Sequence, residues 1–114
     1  MSRKLARLES EMMHVLSSAL IIGSNNRVLK DAFITKIIIA PDLSTARIMY
    51  SSYSDNKDLL EFELNKSIPF FRKTVSDNMN LRHTPKLEFK FDNSLHYRER
   101  IEQVLKDVQE KDTK

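Results

Sequence analysis

A single glycine, Gly23, is the feature that most restricts what this chain of 114 residues can fold into. Phosphate-binding loops, the dinucleotide-binding fingerprint and the nucleophile elbow each need several glycines, because the backbone must turn tightly or approach a ligand closely. Cysteine is absent as well. Disulfide frameworks, thiolate metal sites and cysteine nucleophiles are therefore excluded, and an intracellular, cytoplasmic protein is favoured.

The length predicts one domain, since chains of this size lie within the usual range for a single core. No apolar run approaches the ~20 residues that cross a bilayer. We expect a monomer with no membrane partner, and the residues give no reason to expect a cofactor, a metal or a small-molecule substrate.

Apolar residues recur at alternating steps of three and four from Leu5 onward, which predicts a long amphipathic first helix. Gly23 follows at the position where glycine commonly caps the C-terminus of a helix, so this helix is expected to end near Ile22. A mitochondrial presequence is the competing interpretation, and the acidic residues Glu9 and Glu11 argue against it.

Two runs rich in β-branched and aromatic residues, 33–39 and 45–53, flank a proline and an aspartate at 41–42 and predict a β-hairpin. One face of the first strand is expected to carry alternate residues, namely Phe33, Thr35, Ile37 and Ile39. The other face is apolar too, at Ile34 and Ile38. We therefore expect this strand to be central in its sheet.

The next helical pattern is interrupted by Pro69. Apolar residues at 59–64 predict a helix capped by Ser54 or Asp55. Pro69 cannot donate a backbone hydrogen bond, yet helical spacing resumes at Phe70. Two helices joined by a sharp kink are expected. The kink comprises three residues, Ser67, Ile68 and Pro69.

Residues 87–91 alternate apolar and polar and predict a last strand with one solvated face. The order helix, strand, strand, helix, kink, helix, strand predicts an α+β fold whose three-stranded sheet is covered by helices on one face. That order matches a type II KH domain, an RNA-binding architecture. We divide the chain into a KH-like RNA-binding domain, residues 1–93, and a C-terminal helix with a frayed charged tail, residues 94–114.

Four segments carry a more specific pattern: APDLSTA at 40–46, LNK at 64–66, FFR at 70–72 and LRHTPKLEF at 81–89. Together they resemble the bacterial ribosome-binding factor A family, and the resemblance spans about residues 7–101.

The resemblance implies a non-enzymatic assembly factor that binds immature small ribosomal subunits and their precursor RNA. It further implies assistance in late maturation and 5′-end processing, and importance at low temperature. The family's KH-like fold has a kink, usually a small residue, any residue and glycine, in place of the glycine-rich RNA loop. Here Pro69 replaces that glycine, and the family's usual Asp-Pro-Arg before the first strand is missing from residues 26–31.

With one glycine, the ordinary two-glycine KH loop cannot form, so phosphate and shape recognition by basic side chains is expected. Residues 1–30 hold five basic against two acidic side chains and residues 64–91 hold six against two, although the net charge is only +3. A first helix packed across the sheet is expected to bring Arg3 and Arg7 near the kink. Ordinary solvated side chains are the alternative interpretation. The candidate RNA contacts are Arg3, Lys4, Arg7, Lys66, Arg72, Lys73, Arg82 and Lys86.

The remaining histidines, carboxylates and phenylalanines are expected to have structural roles. The three histidines lie in different elements without metal-ligand spacing, the carboxylates of residues 55–63 complement a helix dipole, and no residue is proposed as catalytic. Five phenylalanines are expected in the core, at Phe62, Phe70, Phe71, Phe89 and Phe91. Tyr53 and Tyr97 stay open as base-stacking residues.

Two functional hypotheses follow. One is an RNA-binding assembly factor, and the other is a protein-interaction adaptor that uses the C-terminal helix. Salt distinguishes them, because phosphate binding weakens steeply with salt whereas an apolar contact does not.

Overall fold

The computed structural model describes residues 3–23 and 25–94. Within this part of the chain the predicted order of helices and strands is confirmed. The elements are α1 (Arg3–Ser18), β1 (Ala32–Ile39), β2 (Thr45–Ser52), α2 (Lys57–Lys66), α3 (Ile68–Asn78) and β3 (Lys86–Phe91). The predicted C-terminal helix and tail begin at the last described residue, Ser94, and otherwise lie outside the described residues. In the described ranges, no helix has the length and apolar character needed to span a membrane.

One hydrophobic core lies between the helices and one face of the sheet. Each helix buries residues spaced four apart, so that one stripe faces the strands. The helical core residues are Leu8, Met12 and Leu16 of α1, Leu60 and Leu64 of α2, and Phe71 and Val75 of α3. The strands contribute Ile37, Ile39, Ala46, Ile48, Tyr50, Leu87 and Phe89. Burying each large side chain stabilises the fold by about 1.5–3 kcal/mol.

The strand order is β1-β2-β3, with β1 antiparallel and β3 parallel to β2. The central strand is therefore β2, and the prediction that the first strand is central was wrong. Ile38, which suggested a second buried face, is 42% exposed on the side of the sheet away from the helices. An apolar residue on each face therefore does not show that a strand has neighbours on both sides.

A β-bulge at Thr35 changes which residues of β1 share a face. Ile34 pairs with Tyr50 and Lys36 pairs with Met49, so Thr35 has no partner in the register. The extra residue reverses the alternation. Ile34, and not Phe33 or Thr35 as predicted, therefore lies on the core face with the buried residues that follow the bulge. The Thr35 hydroxyl donates a 2.6 Å hydrogen bond to Oδ2 of Asp92.

The turn between β1 and β2 is held by its own polar groups. Leu43 takes a left-handed conformation with φ of 62°, and its backbone N–H donates to the carbonyl of Ala40 at 2.8 Å. Oδ1 of Asp42 accepts hydrogen bonds from the Ser44 hydroxyl at 2.7 Å and from the Ser44 backbone N–H at 3.0 Å. These bonds favour the charged carboxylate and lower the pKa of Asp42.

Helical backbone ends at Gly23, close to the end predicted near Ile22, but the form of its last turn and the cap of α2 were not predicted. α1 passes into a π-helical turn, Ala19–Gly23, which leaves Ile21 and Ile22 exposed. The cap of α2 is Asn56, whose side chain accepts from the Leu59 N–H at 3.3 Å. Ser54, one of the two predicted caps, instead accepts from the Asn56 N–H through its hydroxyl at 3.1 Å.

Candidate nucleic-acid interface

The predicted kink is present at Ser67, the single residue between α2 and α3. Ser67 has φ of −92° and ψ of 4°, a conformation open to residues other than glycine. Its N–H approaches the carbonyls of Glu63 at 3.0 Å and Leu64 at 3.1 Å. The chain therefore bends without using glycine.

Pro69 is the second residue of α3. A proline in the first turn of a helix costs little, because those N–H groups have no partner within the helix. It removes one of the amide donors that the start of α3 would otherwise offer to an anion. The next hydrogen bond runs from the Phe71 N–H to the carbonyl of Ser67 at 3.1 Å.

Asn26 ties the loop before β1 to the end of α2. Its Nδ2 donates to Oε2 of Glu63 at 2.6 Å, and its Oδ1 accepts from the Val28 N–H at 3.0 Å. Glu63 was expected only to complement the dipole of its helix. It is half-buried instead and holds a connection across 37 residues of sequence.

Three of the candidate cations surround this bend, and all of them are exposed. Lys73 forms an exposed salt bridge of 3.1 Å with Asp77, one helical turn further on, so part of its charge is balanced. In the described ranges, Lys66 and Arg72 form no salt bridge. We call Lys66, Arg72 and Lys73 the kink group.

The other described candidate contacts lie in the first turns of α1 and at or just before the start of β3. Lys4 lines a cavity of about 140 Å³ together with Pro41 and Leu43 of that turn. Lys86 begins β3, and its N–H donates to the carbonyl of Ser44 at 2.9 Å. The exposed Arg82 lies in the connection that leads to β3. We call Arg3, Lys4, Arg7, Arg82 and Lys86 the hairpin group.

The predicted convergence of Arg3 and Arg7 with the kink is not confirmed. α1 and α3 border a groove of about 430 Å³, and the side formed by α1 and the π-helical turn after it runs from His14 to Ile22. Phe70, next to the kink, lines the same groove. The last turns of α1 therefore face α3, while its basic first turns reach the hairpin. Hydrophobic spacing had shown which side of the helix is buried but not the direction in which the helix crosses the sheet.

The predicted core phenylalanines divide into two sets. Phe71 and Phe89 are buried with ring centroids 5.4 Å apart, and Phe91 is half-buried. Phe62 is 61% exposed and Phe70 40% exposed, so those two predictions were wrong. Phe62 lies two residues from Leu60 and Leu64, which puts it on the opposite side of α2. Phe70 directly precedes the buried Phe71 and points away from the core stripe of α3.

The remaining candidates lie apart from one another. His14 lines the groove and His83 lies exposed before β3, and no cluster of metal-ligating side chains occurs in the part of the chain that the structure describes. Tyr53 is 78% exposed beside Phe33. Tyr97 and His96 lie outside the described residues. The groove residue Ile22 had been missed, although an apolar pair directly before Gly23 was visible in the sequence.

These features define a KH-like α+β domain: a three-stranded sheet covered on one face by helices, with a bend in place of a glycine-rich loop. Residues 4–105 match the family described as ribosome-binding factor A. The chain belongs to the ribosome-binding factor A family.

Curated relatives carry the same name. The chain is 42% identical over 77 residues to the ribosome-binding factor A of Vesicomyosocius okutanii, which covers 68% of each chain. It is 32% identical over 104 residues to that of Ruthia magnifica, which covers 91% of this chain and 93% of the relative.

Solved structures are similar in fold. The crystal structure of ribosome-binding factor A from Thermus thermophilus has a TM-score of 0.71 at 15% identity, covering 76% of this chain and 93% of that one. A further similar set of coordinates is a homology model of the Thermus thermophilus factor, fitted into a cryo-EM map of its complex with the 30S subunit. Its TM-score is 0.62 at 12% identity, with 82% of this chain and 97% of that one covered.

Proposed function

We propose that this protein is a ribosome assembly factor that binds immature small subunits and their precursor RNA in the cytoplasm. It assists late maturation and 5′-end processing of the small-subunit RNA without catalysing a reaction itself, acts as a monomer, and matters most at low temperature. The observation that carries the proposal is the family match, which runs through the sheet, the kink, and the described helices α1, α2 and α3. The related factor from Thermus thermophilus is described in complex with the 30S subunit.

The exposed cations support RNA as the partner. The kink group and the hairpin group project from the KH-like domain that we assign to residues 1–93, and most of their side chains are free of salt bridges among the described residues. Lysine and arginine contacts to phosphate need no base sequence. They suit a factor that recognises the shape of a folded ribosomal RNA.

Sedimentation tests the binding step. The purified protein is expected to co-sediment with free and immature small subunits at low salt and to dissociate as salt rises, because phosphate contacts release counterions. It is not expected on translating ribosomes. Equal occupancy of polysomes would contradict the assembly role, and binding that is insensitive to salt would favour the adaptor hypothesis.

Depletion in cells tests the maturation step. Cells without the protein are expected to accumulate small-subunit RNA with unprocessed 5′ ends, more so at low temperature, which primer extension measures. The parent gene is expected to restore processing. Normal 5′ ends at all temperatures would contradict this part of the proposal.

A further inference from the structure

The face of the sheet away from the helices carries a third group of cations and an exposed aromatic ring. Ile37, Ile48 and Phe89 form a cross-strand row on the core side, so the residues that alternate with them lie on the other side. One such row is Lys36, Met49 and Lys90, and the next is Ile38, Arg47 and Glu88. None of these residues belongs to the kink group or the hairpin group.

Tyr53 and Phe33 form an aromatic pair at one end of this face. Their ring centroids are 4.6 Å apart and their planes are tilted by 35°. Phe33 is half-buried, whereas Tyr53 is 78% exposed. Phe33 therefore supports the tyrosine ring from the protein side, and the other side of that ring faces solvent.

The charge on the middle of this face is positive. Lys36, Arg47 and Lys90 are exposed, and within the described residues none of the three forms a salt bridge. The carboxylates nearby are Glu88, half-buried in the row of Arg47, and Asp92, which accepts from the Thr35 hydroxyl. Asp31 precedes β1 beside the aromatic pair, where its carbonyl accepts from the Tyr53 N–H at 2.9 Å.

We propose that this face, which we call the open-face patch and define as Phe33, Lys36, Arg47, Met49, Tyr53 and Lys90, binds single-stranded RNA. Tyr53 stacks on an unpaired base, and Lys36 and Lys90 contact the flanking phosphates. Aromatic rings on an uncovered sheet face, combined with basic side chains along the backbone path, are a recurrent means of holding unpaired nucleotides.

RNA fits these observations better than an acidic protein segment does. A carboxylate-rich segment would be attracted by the three cations, but it would gain little from a solvent-facing ring held in position by a second ring. Every base has a π-face, so stacking on Tyr53 does not depend on sequence. Apart from Lys86, which lies on this face at the start of β3, the proposed subunit contacts lie outside it, and RNA binding here does not require the kink group.

Binding of a labelled oligouridylate of about eight nucleotides, a length within the usual site size, tests the ring. Tyr53→Ala is expected to weaken binding about five- to hundredfold, the range that a lost base stack produces. Tyr53→Phe keeps the ring and is expected to bind like the parent. Phe62→Ala removes an exposed aromatic ring from α2 and serves as the matched control, with unchanged affinity expected. Tyr53 is exposed, so urea unfolding is expected to show unaltered stability for its variants.

The lysines are tested through salt. Replacing Lys36 and Lys90 by alanine is expected to reduce the slope of log affinity against log salt by about 1.4, since each phosphate contact to a single strand contributes about 0.7. Unchanged affinity in Tyr53→Ala, or an equal loss in Phe62→Ala, would overturn the proposal. The proposal would also be overturned if a polyglutamate peptide competed fully with the RNA and its affinity were unchanged in Tyr53→Ala. That result would favour an acidic protein partner.

Parallel sedimentation with small subunits separates this inference from the proposed function. A parent protein that binds the oligonucleotide through Tyr53 but fails to bind subunits leaves the open-face patch standing and refutes the assembly role. If the parent binds subunits but Tyr53→Ala leaves the affinity for the oligonucleotide unchanged, only the open-face patch is refuted.

Discussion

The carboxylate of Glu9 accepts a hydrogen bond from the backbone N–H of Ile39, with 2.8 Å between Oε2 and the nitrogen. The bond joins the second turn of α1 to the last residue of β1, across 30 residues of sequence. Because it is half-buried and one partner is charged, it is stronger than an average surface hydrogen bond. It positions α1 on the sheet beside the hydrophobic contacts of Leu8 and Met12.

Glu9→Ala is therefore expected to lower the free energy of unfolding by about 1–2 kcal/mol, since the Ile39 N–H loses its partner. Glu9→Gln keeps an acceptor and is expected to lose less. Urea unfolding measures both. Glu11→Ala, an exposed acidic residue of the same helix, is the control, and an equal loss there would show that the effect is one of helix charge.

Charge reversal in the kink group tests the proposed RNA contacts. Arg72→Glu combined with Lys73→Glu is expected to weaken small-subunit binding about tenfold or more, because phosphate contacts become repulsions. Stability is expected to change by less than about 1 kcal/mol, since both residues are exposed. Arg27→Glu with Lys30→Glu changes the net charge equally at another exposed site. If that control weakens binding as much, total charge and not the kink group determines affinity.

Pro69 tests whether the bend itself matters. Alanine at this position restores an N–H that can donate to the carbonyl of Asn65 four residues earlier, and it favours one continuous helix. Pro69→Ala is expected to impair subunit binding more than thermal stability. Pro69→Gly restores the residue that the family uses and keeps the bend available, so a milder effect is expected. If both variants bind like the parent, the bend is only a connector.

Tyr50 is expected to make stability fall at high pH. Burial, reinforced by the negative charge of Glu61, raises the pKa of Tyr50 above its ordinary value of 10.0. The unfolded chain therefore releases this proton first, so stability is unaffected below pH 10 and declines as the pH rises above it. Urea unfolding of the parent and Tyr50→Phe on both sides of pH 10 measures the difference. An equal decline in the free energy of unfolding of the two proteins would show that Tyr50 is not the cause.

Local patterns predicted the element order, because each segment has its own period and its own end signals. The kink was predictable in the same way, since proline at 69 excludes one continuous ladder of helical hydrogen bonds. The buried stripe of α1 also followed from spacing, whereas Phe62 of α2 and Phe70 of α3 were wrongly assigned to the core. The exposed position of Phe62 was visible in that spacing too, since it is out of phase with Leu60 and Leu64.

What the sequence did not reveal depends on tertiary relations. A bulge residue such as Thr35 cannot be recognised within a run of β-branched residues. Phe33 and Thr35 were therefore assigned to the same face as Ile37 and Ile39. The position of β1 at the edge depends on where β3 pairs, and the separation of Arg3 from the kink depends on the direction of α1. Neither relation is encoded in a local repeat. The sequence left Tyr53 open as a base-stacking residue, but it did not show that Lys36, Arg47 and Lys90 share a face, because these three come together only through the strand register.

The bulge at Thr35 also changes what the edge of the sheet can offer to another strand. β1 is an edge strand rich in isoleucine, and its outer backbone groups are a template for a strand of another molecule. The bulge interrupts that template midway and increases the local twist, Lys36 adds a charge directly after it, and Glu9 occupies the N–H at the end of the strand. Only short stretches of regular backbone are therefore left along this edge for pairing with a strand of another molecule.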